Sequence, residues 1–187
     1  HDSLIEVSPV VEALVRPDLD EVQRRHQVGL DNQRKEAVTK RHGQGRLTAR
    51  ENINLLIDEG SLVEYGPTVV AAQRRRRSLD DLIIKTPADG LVGGLASING
   101  SLFSGHDSRV VVMSYDYAVL AGTQGQQNHR KKDRLFDVAE KLQLPVVFFA
   151  EGGGGRPGEH EPVVAPWHQG DRQRGGSAVE HAHSAGA

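Results

Sequence analysis

The chain has 187 residues, of which 37% are hydrophobic and 4% aromatic, and its formal net charge at pH 7 is -2. This length allows one domain with a buried core, whereas the near-neutral charge gives no general argument for binding to nucleic acid or an anionic membrane. The sequence contains no cysteine, which excludes disulfide scaffolds, cysteine-ligated zinc and cysteine nucleophiles. No apolar run is long enough for a membrane-spanning helix and no signal peptide is visible, so we expect a cytoplasmic protein.

The first predicted unit, residues 1–42, is an amino-terminal helical extension. Residues 17–42 are polar and helix-forming, and their apolar positions are sparse. A helix of this kind buries little apolar area, so we expect it to lie across a surface or against a partner.

The next predicted helix begins after Thr48, which forms a capping box with Glu51. Its apolar face is predicted at residues 55–57 and its end at Gly60. Residues 61–66 then predict a short strand.

A basic loop that leads into a short helix is predicted over residues 71–87. Asn99 and Gly100 then stand between two strand-like segments, which is a strong hairpin signal.

Residues 109–150 read as strand, helix, strand. An apolar run at 109–113 predicts a buried strand, and an amphipathic helix follows, with Thr123 and Gln126 as a second capping box. Because a second apolar strand comes next, we expect a right-handed parallel crossover. The predicted fold class is therefore mixed α/β.

The composition changes after Ala150, since no Leu, Ile, Phe or Met follows it. A segment of this kind cannot form a core, and we predict that residues 159–187 are an atypical, disordered tail. His181 and His183 could bind a metal weakly, but tail disorder is the stronger interpretation.

The predicted strand before the tail ends in four glycines, residues 152–155, followed by Arg156. Glycines after a strand can present several backbone N–H groups to one point, where they bind an anion or an oxygen that becomes negative in a transition state. The alternative is a flexible linker. The segment is not a P-loop, because no Gly-Lys-Ser/Thr ends it.

Two other segments could bind a ligand. Gly122 and Gly125 flank a predicted helix start, which could hold a phosphate or a carbonyl, although ordinary helix capping is the favoured interpretation of this segment alone. Residues 74–77 are all arginine and could pair with phosphates, although such a run is more often a solvated loop. No catalytic triad is indicated, so the sequence favours backbone electrostatics.

Three segments resemble the biotin-dependent acyl-CoA carboxyltransferases, and they occur in the order and spacing of that family. They read GRLTARENINLLIDEGSLVEY, TPADGLVGGLASING and MSYDYAVLAGTQGQQNHRKKDRLFDVAEKLQLPVVFFAEGGGGRPGE. The resemblance covers roughly residues 34–159 and corresponds to the amino-terminal half of the carboxyltransferases of acetyl- and propionyl-CoA carboxylases.

This resemblance implies a partial crotonase-like spiral of ββα units over residues 43–158, with the acyl-CoA on this half. It implies a reaction that moves a carboxyl group from carboxybiotin to the α-carbon of acetyl-CoA or propionyl-CoA. Biotin would arrive on a separate carrier protein or domain, and the implied partners are biotin carboxyl carrier protein, biotin carboxylase and further copies of the chain. No metal is implied.

Site residues also follow from the resemblance, position by position. The amides of Gly153 and Gly154 correspond to the donors that stabilise the enolate oxygen. The positions that correspond to substrate-binding residues are Gly122, Thr123, Gly125, Gly155 and Arg156.

The sequence departs from the family at two places. Glu151 and Gly152 stand where an acidic residue and a serine are usual. After Glu159 the family pattern ends, and the Arg, Gly, His and Ala bias there resembles an out-of-frame reading of GC-rich DNA. We therefore expect no turnover by the chain alone. A non-catalytic acyl-CoA-binding or assembly module, and a non-functional truncated product, remain as alternatives.

Overall fold

The central feature of the structure, a computed structural model, is a four-stranded mixed sheet; residues 16–103 and 105–159 are described. Its strands are β1 (Val63–Glu64), β2 (Leu91–Ser97), β3 (Arg109–Tyr115) and β4 (Val146–Phe149), side by side in that order. The β1–β2 and β2–β3 pairs are antiparallel, and the β3–β4 pair is parallel. The mixed α/β class and the parallel crossover are confirmed.

Five α-helices surround this sheet in the described part of the chain. They are α1 (Pro17–Val28), α2 (Lys35–Gly43), α3 (Ala49–Asn54), α4 (Leu79–Lys85) and α5 (Gln126–Leu142). The last of these makes the crossover from β3 to β4. No helix among the described residues is long and apolar enough to cross a membrane.

Strand β3 is buried on both faces, which explains its continuous apolar run. Val111, Met113 and Tyr115 pack in one cluster with Leu135 and Ala139 of α5. The alternate residues Val110 and Val112 pack in a second cluster on the other face of the sheet, with Ala49 and Ile53 of α3. The two-residue periodicity of a strand thus divides the core into two layers.

The helical extension differs from the prediction because it contains two helices rather than one. Helix α1 ends at Val28, a 3-10 turn occupies Asp31–Gln33, and α2 begins only at Lys35. The Asp31 carboxylate in this turn accepts a hydrogen bond from the Thr48 hydroxyl. This hydrogen bond joins the turn between α1 and α2 to the start of α3.

The capping box at Thr48 and Glu51 is confirmed, with both reciprocal hydrogen bonds present. The predicted apolar face was partly wrong, because Leu55 is 76% exposed and the fully buried residue is Ile53. The helix ends at Asn54, earlier than the predicted stop at Gly60.

The hairpin prediction at Asn99 and Gly100 was also partly wrong. Asn99 has a φ of +55°, as a tight turn requires, but β3 begins only at Arg109. The Asp58 carboxylate accepts hydrogen bonds from the amides of Asn99 and Gly100, at 3.0 and 2.8 Å. This side chain anchors the turn and leaves a longer connection before β3.

The predicted tail lies outside the described residues except for its first residue. Glu159 is buried and bonded to Arg156, so the structure places it with the folded body rather than beyond it.

Candidate functional site

Two glycine loops cross at the carboxyl ends of β3 and β4. The first contains Leu120–Gly122, and the second is residues 152–155. Gly122 has a φ of +65°, and a Cβ added there would lie 2.5 Å from the carbonyl oxygen of Glu151. Only glycine allows the two backbones to approach so closely.

The second loop is pinned along one side by backbone hydrogen bonds. The Gln124 amide donates to the Gly154 carbonyl, and the Arg156 amide donates to the Gln124 carbonyl, each at 2.8 Å. Gly155 and Gln124 thereby form a short parallel bridge. The loop is consequently held in a fixed position and is not a free linker.

Gly153 and Gly154 lie in the middle of this loop, whose four glycines are all exposed. Neither amide donates a hydrogen bond to any acceptor within residues 16–103 and 105–159. Gly154 has a φ of +83°, and nothing lies within 4 Å of the position that a Cβ would occupy. The loop therefore presents two consecutive N–H groups that have no acceptor among the described residues.

Arg156 anchors the loop from inside the protein, where only 5% of its side chain is exposed. Its Nη1 donates to Asp89 Oδ1 at 2.6 Å and to Glu159 Oε1 at 3.1 Å. Its Nε and Nη2 donate to the hydroxyl and the carbonyl of Thr123, at 3.2 and 2.8 Å. The guanidinium is thus occupied by protein groups, and it joins the two glycine loops.

The same two carboxylates cap helix α5. Asp89 Oδ2 accepts from the Asn128 amide at 2.8 Å, and Glu159 Oε2 accepts from the Gln126 amide at 3.2 Å. Burial raises the pKa of the Asp89 carboxyl above its ordinary value, although Arg156 and the Asn128 amide act in the opposite direction. The capping box predicted at Thr123 and Gln126 was wrong, because Gly125 is the N-cap and no side chain caps it locally.

Sequence reasoning found the exposed glycines but missed the charged residues beneath them. The structure brings all seven predicted site residues together, although Arg156 and Thr123 bind each other and Gly125 packs against the Arg156 and Glu159 side chains. Of the missed residues, Asp89 had the clearest signal in the sequence. An acidic residue followed by a glycine just before a buried strand is typical of a turn with positive φ angles. The φ of Asp89, +47°, agrees with that signal.

His181 and His183, for which weak metal binding was the less favoured interpretation, lie outside the described residues. Within the described part, no group of three or more His, Asp or Glu side chains could hold a metal ion.

Comparison with known proteins finds a family and several relatives. Residues 40–170 match the family described as Carboxyl transferase domain. The propionyl-CoA carboxylase beta chain of Roseobacter denitrificans is 34% identical over 119 residues, which are 64% of this chain and 21% of that protein. The biotin-dependent acetyl-/propionyl-coenzyme A carboxylase beta5 subunit of Mycobacterium tuberculosis is 32% identical and covers 74% of this chain and 23% of its own length.

Solved structures give the same result. A single-chain, multi-domain long-chain acyl-CoA carboxylase is 61% identical over 78% of this chain and 14% of its own, with a TM-score of 0.74. Transcarboxylase 12S with hydrolyzed methylmalonyl-coenzyme A bound is 27% identical over 81% of this chain and 27% of its own, with a TM-score of 0.61. These neighbours confirm the crotonase-like fold. The chain spans about a fifth of the length of the curated relatives it matches.

Proposed function

The chain belongs to the carboxyl transferase domain family of acyl-CoA carboxylases, and from that premise we propose that it binds an acyl-CoA for carboxylation at the α-carbon. In this proposal the thioester oxygen lies at the amides of Gly153 and Gly154. Loss of the α-proton would place negative charge on that oxygen, and two N–H donors would stabilise it.

The observation that carries this proposal is the pair of exposed amides without an acceptor in the described part of the chain. Their loop is fixed by the Gln124 bridge and by Arg156, so the donors are positioned before a ligand arrives. Preorganised donors stabilise a developing charge because they need no reorientation during the reaction.

Carboxybiotin, carried on a separate protein or domain, would supply the carboxyl group. We assign no residue of this chain to the biotin ring. The proposed partners are a biotin carboxyl carrier, a biotin carboxylase and further copies of the chain, since the structural neighbour transcarboxylase 12S assembles as a hexamer.

The acyl group is proposed to be a long chain rather than acetyl or propionyl. The long-chain acyl-CoA carboxylase is 61% identical to this chain, whereas the propionyl-CoA carboxylase beta chain of Roseobacter denitrificans is 34% identical. Calorimetric titration with propionyl-CoA, octanoyl-CoA and palmitoyl-CoA, each below its micellar concentration, tests this. We expect affinity to rise with chain length, and a preference for propionyl-CoA would contradict the assignment.

The oxyanion role is tested by Gly154→Val in the full chain. A valine at a φ of +83° is strained and would displace the neighbouring amides, so we expect acyl-CoA affinity to fall roughly tenfold or more. The matched control is Gly60→Val, because Gly60 has a φ of +72°, also has open space around it and lies outside the site.

Several outcomes separate the proposal from the alternatives. Equal affinities in the two variants would overturn the oxyanion role. We expect carboxyl transfer when the chain is mixed with a full-length carboxyltransferase that has been made inactive, because an active one would transfer without the chain. Binding of acyl-CoA with no transfer in that mixture would favour a non-catalytic module. Loss of a cooperative thermal melt together with loss of binding would favour a non-functional product.

A further inference from the structure

The turn that precedes β2 has a strained backbone. Ala88 and Asp89 have φ angles of +53° and +47°, in the left-handed region that residues with a side chain rarely adopt. Both residues are buried, and none of the Asp89 surface is exposed. Such conformations cost free energy and persist only where the surrounding structure imposes them, which is frequent at functional sites. The turn is therefore a candidate for a functional role.

Three successive carbonyls of this turn accept hydrogen bonds from elsewhere in the protein. The pairs, with the donor first, are Lys131 Nζ with Ala88, Asn128 Nδ2 with Asp89, and the Asp116 amide with Gly90, at 3.1, 3.1 and 2.9 Å. Two of the donors lie on α5, and the third directly follows β3. The turn is consequently fixed to both elements.

The two oxygens of the Asp89 carboxylate bind different parts of the candidate site. Oδ1 accepts from Arg156 Nη1 at 2.6 Å, and Oδ2 accepts from the Asn128 amide at 2.8 Å. Arg156 directly follows the second glycine loop, whereas Asn128 lies in the first turn of α5. One buried carboxylate therefore sets the end of the loop relative to the helix. A neutral amide offers one acceptor oxygen and no charge, so it cannot make both contacts equally well.

Glu159 does not duplicate this role. It also accepts from Arg156 and from the Gln126 amide, at 3.1 and 3.2 Å. Because Glu159 is only three residues from Arg156, it belongs to the segment that it binds, and its other partner, Gln73, lies in a loop. Asp89 is 67 residues from Arg156 and is fixed to α5 and β3. Asp89 is thus the carboxylate that connects the loop to the sheet.

A buried unsatisfied atom accompanies this arrangement. Asn128 is fully buried, and its Oδ1 has no hydrogen-bond partner among the described residues. A buried acceptor without a donor costs free energy. The side chain nevertheless keeps the orientation in which Nδ2 holds the Asp89 carbonyl. Stability is thus lost where Asp89 is held in place, as is typical of a site under functional constraint.

We propose that Asp89 is a positioning residue for the acyl-CoA site. It holds Arg156, which donates to the Thr123 carbonyl at 2.8 Å, and so keeps the loop that carries the Gly153 and Gly154 amides in the arrangement that receives the ligand. The effect on acyl-CoA rests on the proposed function, whereas the ordering of the loop does not. Asp89 acts through Arg156 and does not touch the ligand.

Asp89→Asn in the full chain tests this role. Asparagine tolerates a positive φ, and Arg156 retains Glu159 as its counter-ion, so the variant keeps the turn and removes only a charge and an acceptor. NMR relaxation with isotope-labelled glycine measures the order parameters of the Gly153 and Gly154 amides without a ligand. We expect about 0.8 in the wild type and about 0.6 in the variant. Calorimetry with octanoyl-CoA should show an affinity about tenfold lower in the variant.

The matched control is Glu64→Gln, which also removes a buried carboxylate from an arginine pair. Glu64 binds both terminal nitrogens of Arg50, at 2.9 and 3.0 Å, and contacts His26 rather than Arg156. This variant therefore reports the effect of a general loss of stability. We expect it to change neither the order parameters of the two glycines nor the affinity for octanoyl-CoA.

The outcomes separate the positioning role from the proposed function. Unchanged order parameters at Gly153 and Gly154 in Asp89→Asn would overturn the positioning role, as would an equal fall in Glu64→Gln. Lower order with wild-type affinity for octanoyl-CoA would overturn the link between Asp89 and the ligand site. Lower order in Asp89→Asn, together with a wild-type chain that binds no acyl-CoA, would support the positioning of the loop and contradict the proposed function.

Discussion

Lys131 is an amino group inside the protein, only 3% exposed, at the face of α5 that packs on the sheet. Its Nζ donates to the carbonyls of Ala88 and Leu91, at 3.1 and 2.6 Å. Burial lowers the pKa of Lys131 to about 8, although the charges of Glu64 and Asp89 act in the opposite direction. Lys131 thus attaches α5 to the turn before β2, and the ion pair between Arg156 and Asp89 holds the same turn.

The lowered pKa of Lys131 predicts that stability rises with pH in the alkaline range. Between about 8 and 10.5, the folded chain has lost the Lys131 proton while the unfolded chain still holds it. Because the unfolded state then binds more protons, the free energy of unfolding increases with pH, by roughly 3 kcal/mol over the whole interval.

Urea unfolding between pH 7.5 and 10.5 measures this increase, and Lys131→Met is expected to remove it. Lys131→Arg is the control that keeps the positive charge at every pH in the interval, so it should also lack the increase. If the methionine variant kept the same pH dependence as the wild type, the effect would belong to another group.

At the scale of elements, the sequence predicts helices and strands well where local signals decide them. The capping box of α3 is complete within four residues, and the apolar run of β3 reflects burial on both faces. The start of α5 was predicted less well, because its caps come from Asp89 and Glu159. These carboxylates are 39 and 33 residues away from the backbone amides that donate hydrogen bonds to them. A local pattern cannot contain a cap that tertiary structure supplies.

The glycine loops also show that a local sequence pattern predicts only part of the candidate site. Four consecutive glycines are visible in the sequence, and their position after a strand indicates a backbone site. Why glycine is required at each position is visible only in the structure. The Gly152 backbone packs directly against the Gly122 backbone, whereas Gly154 has a positive φ and open space around it. Arg156 corresponds by resemblance to a substrate-binding residue, and in the structure its guanidinium is buried beside Asp89 and donates to Thr123.

At the scale of the whole molecule, the helical extension is connected to both glycine loops. Arg34 pairs with Asp116, which precedes the first loop. Arg41 of α2 donates to both carboxylate oxygens of Glu151, at 3.1 and 2.6 Å, immediately before the second loop. Each pair joins residues far apart in sequence, so the extension does more than cover a surface.

Arg41→Met is therefore expected to affect ligand binding as well as stability. The Arg41 guanidinium also donates to the Leu47 carbonyl and lies 5.2 Å from the centroid of the Tyr117 ring. Its loss would leave Glu151 without its partner and loosen the start of the second glycine loop, so we expect acyl-CoA affinity to fall roughly tenfold and the melting temperature to fall by several degrees.

The control for this experiment is Arg24→Met, which breaks an exposed ion pair with Glu21 on α1 and is expected to change neither quantity. Arg41→Lys separates charge from geometry, because a lysine keeps the charge but cannot make the two-pronged contact with Glu151. We expect it to recover stability more fully than affinity. A lower melting temperature in Arg41→Met with unchanged acyl-CoA affinity would mean that α2 stabilises the fold without positioning the loop.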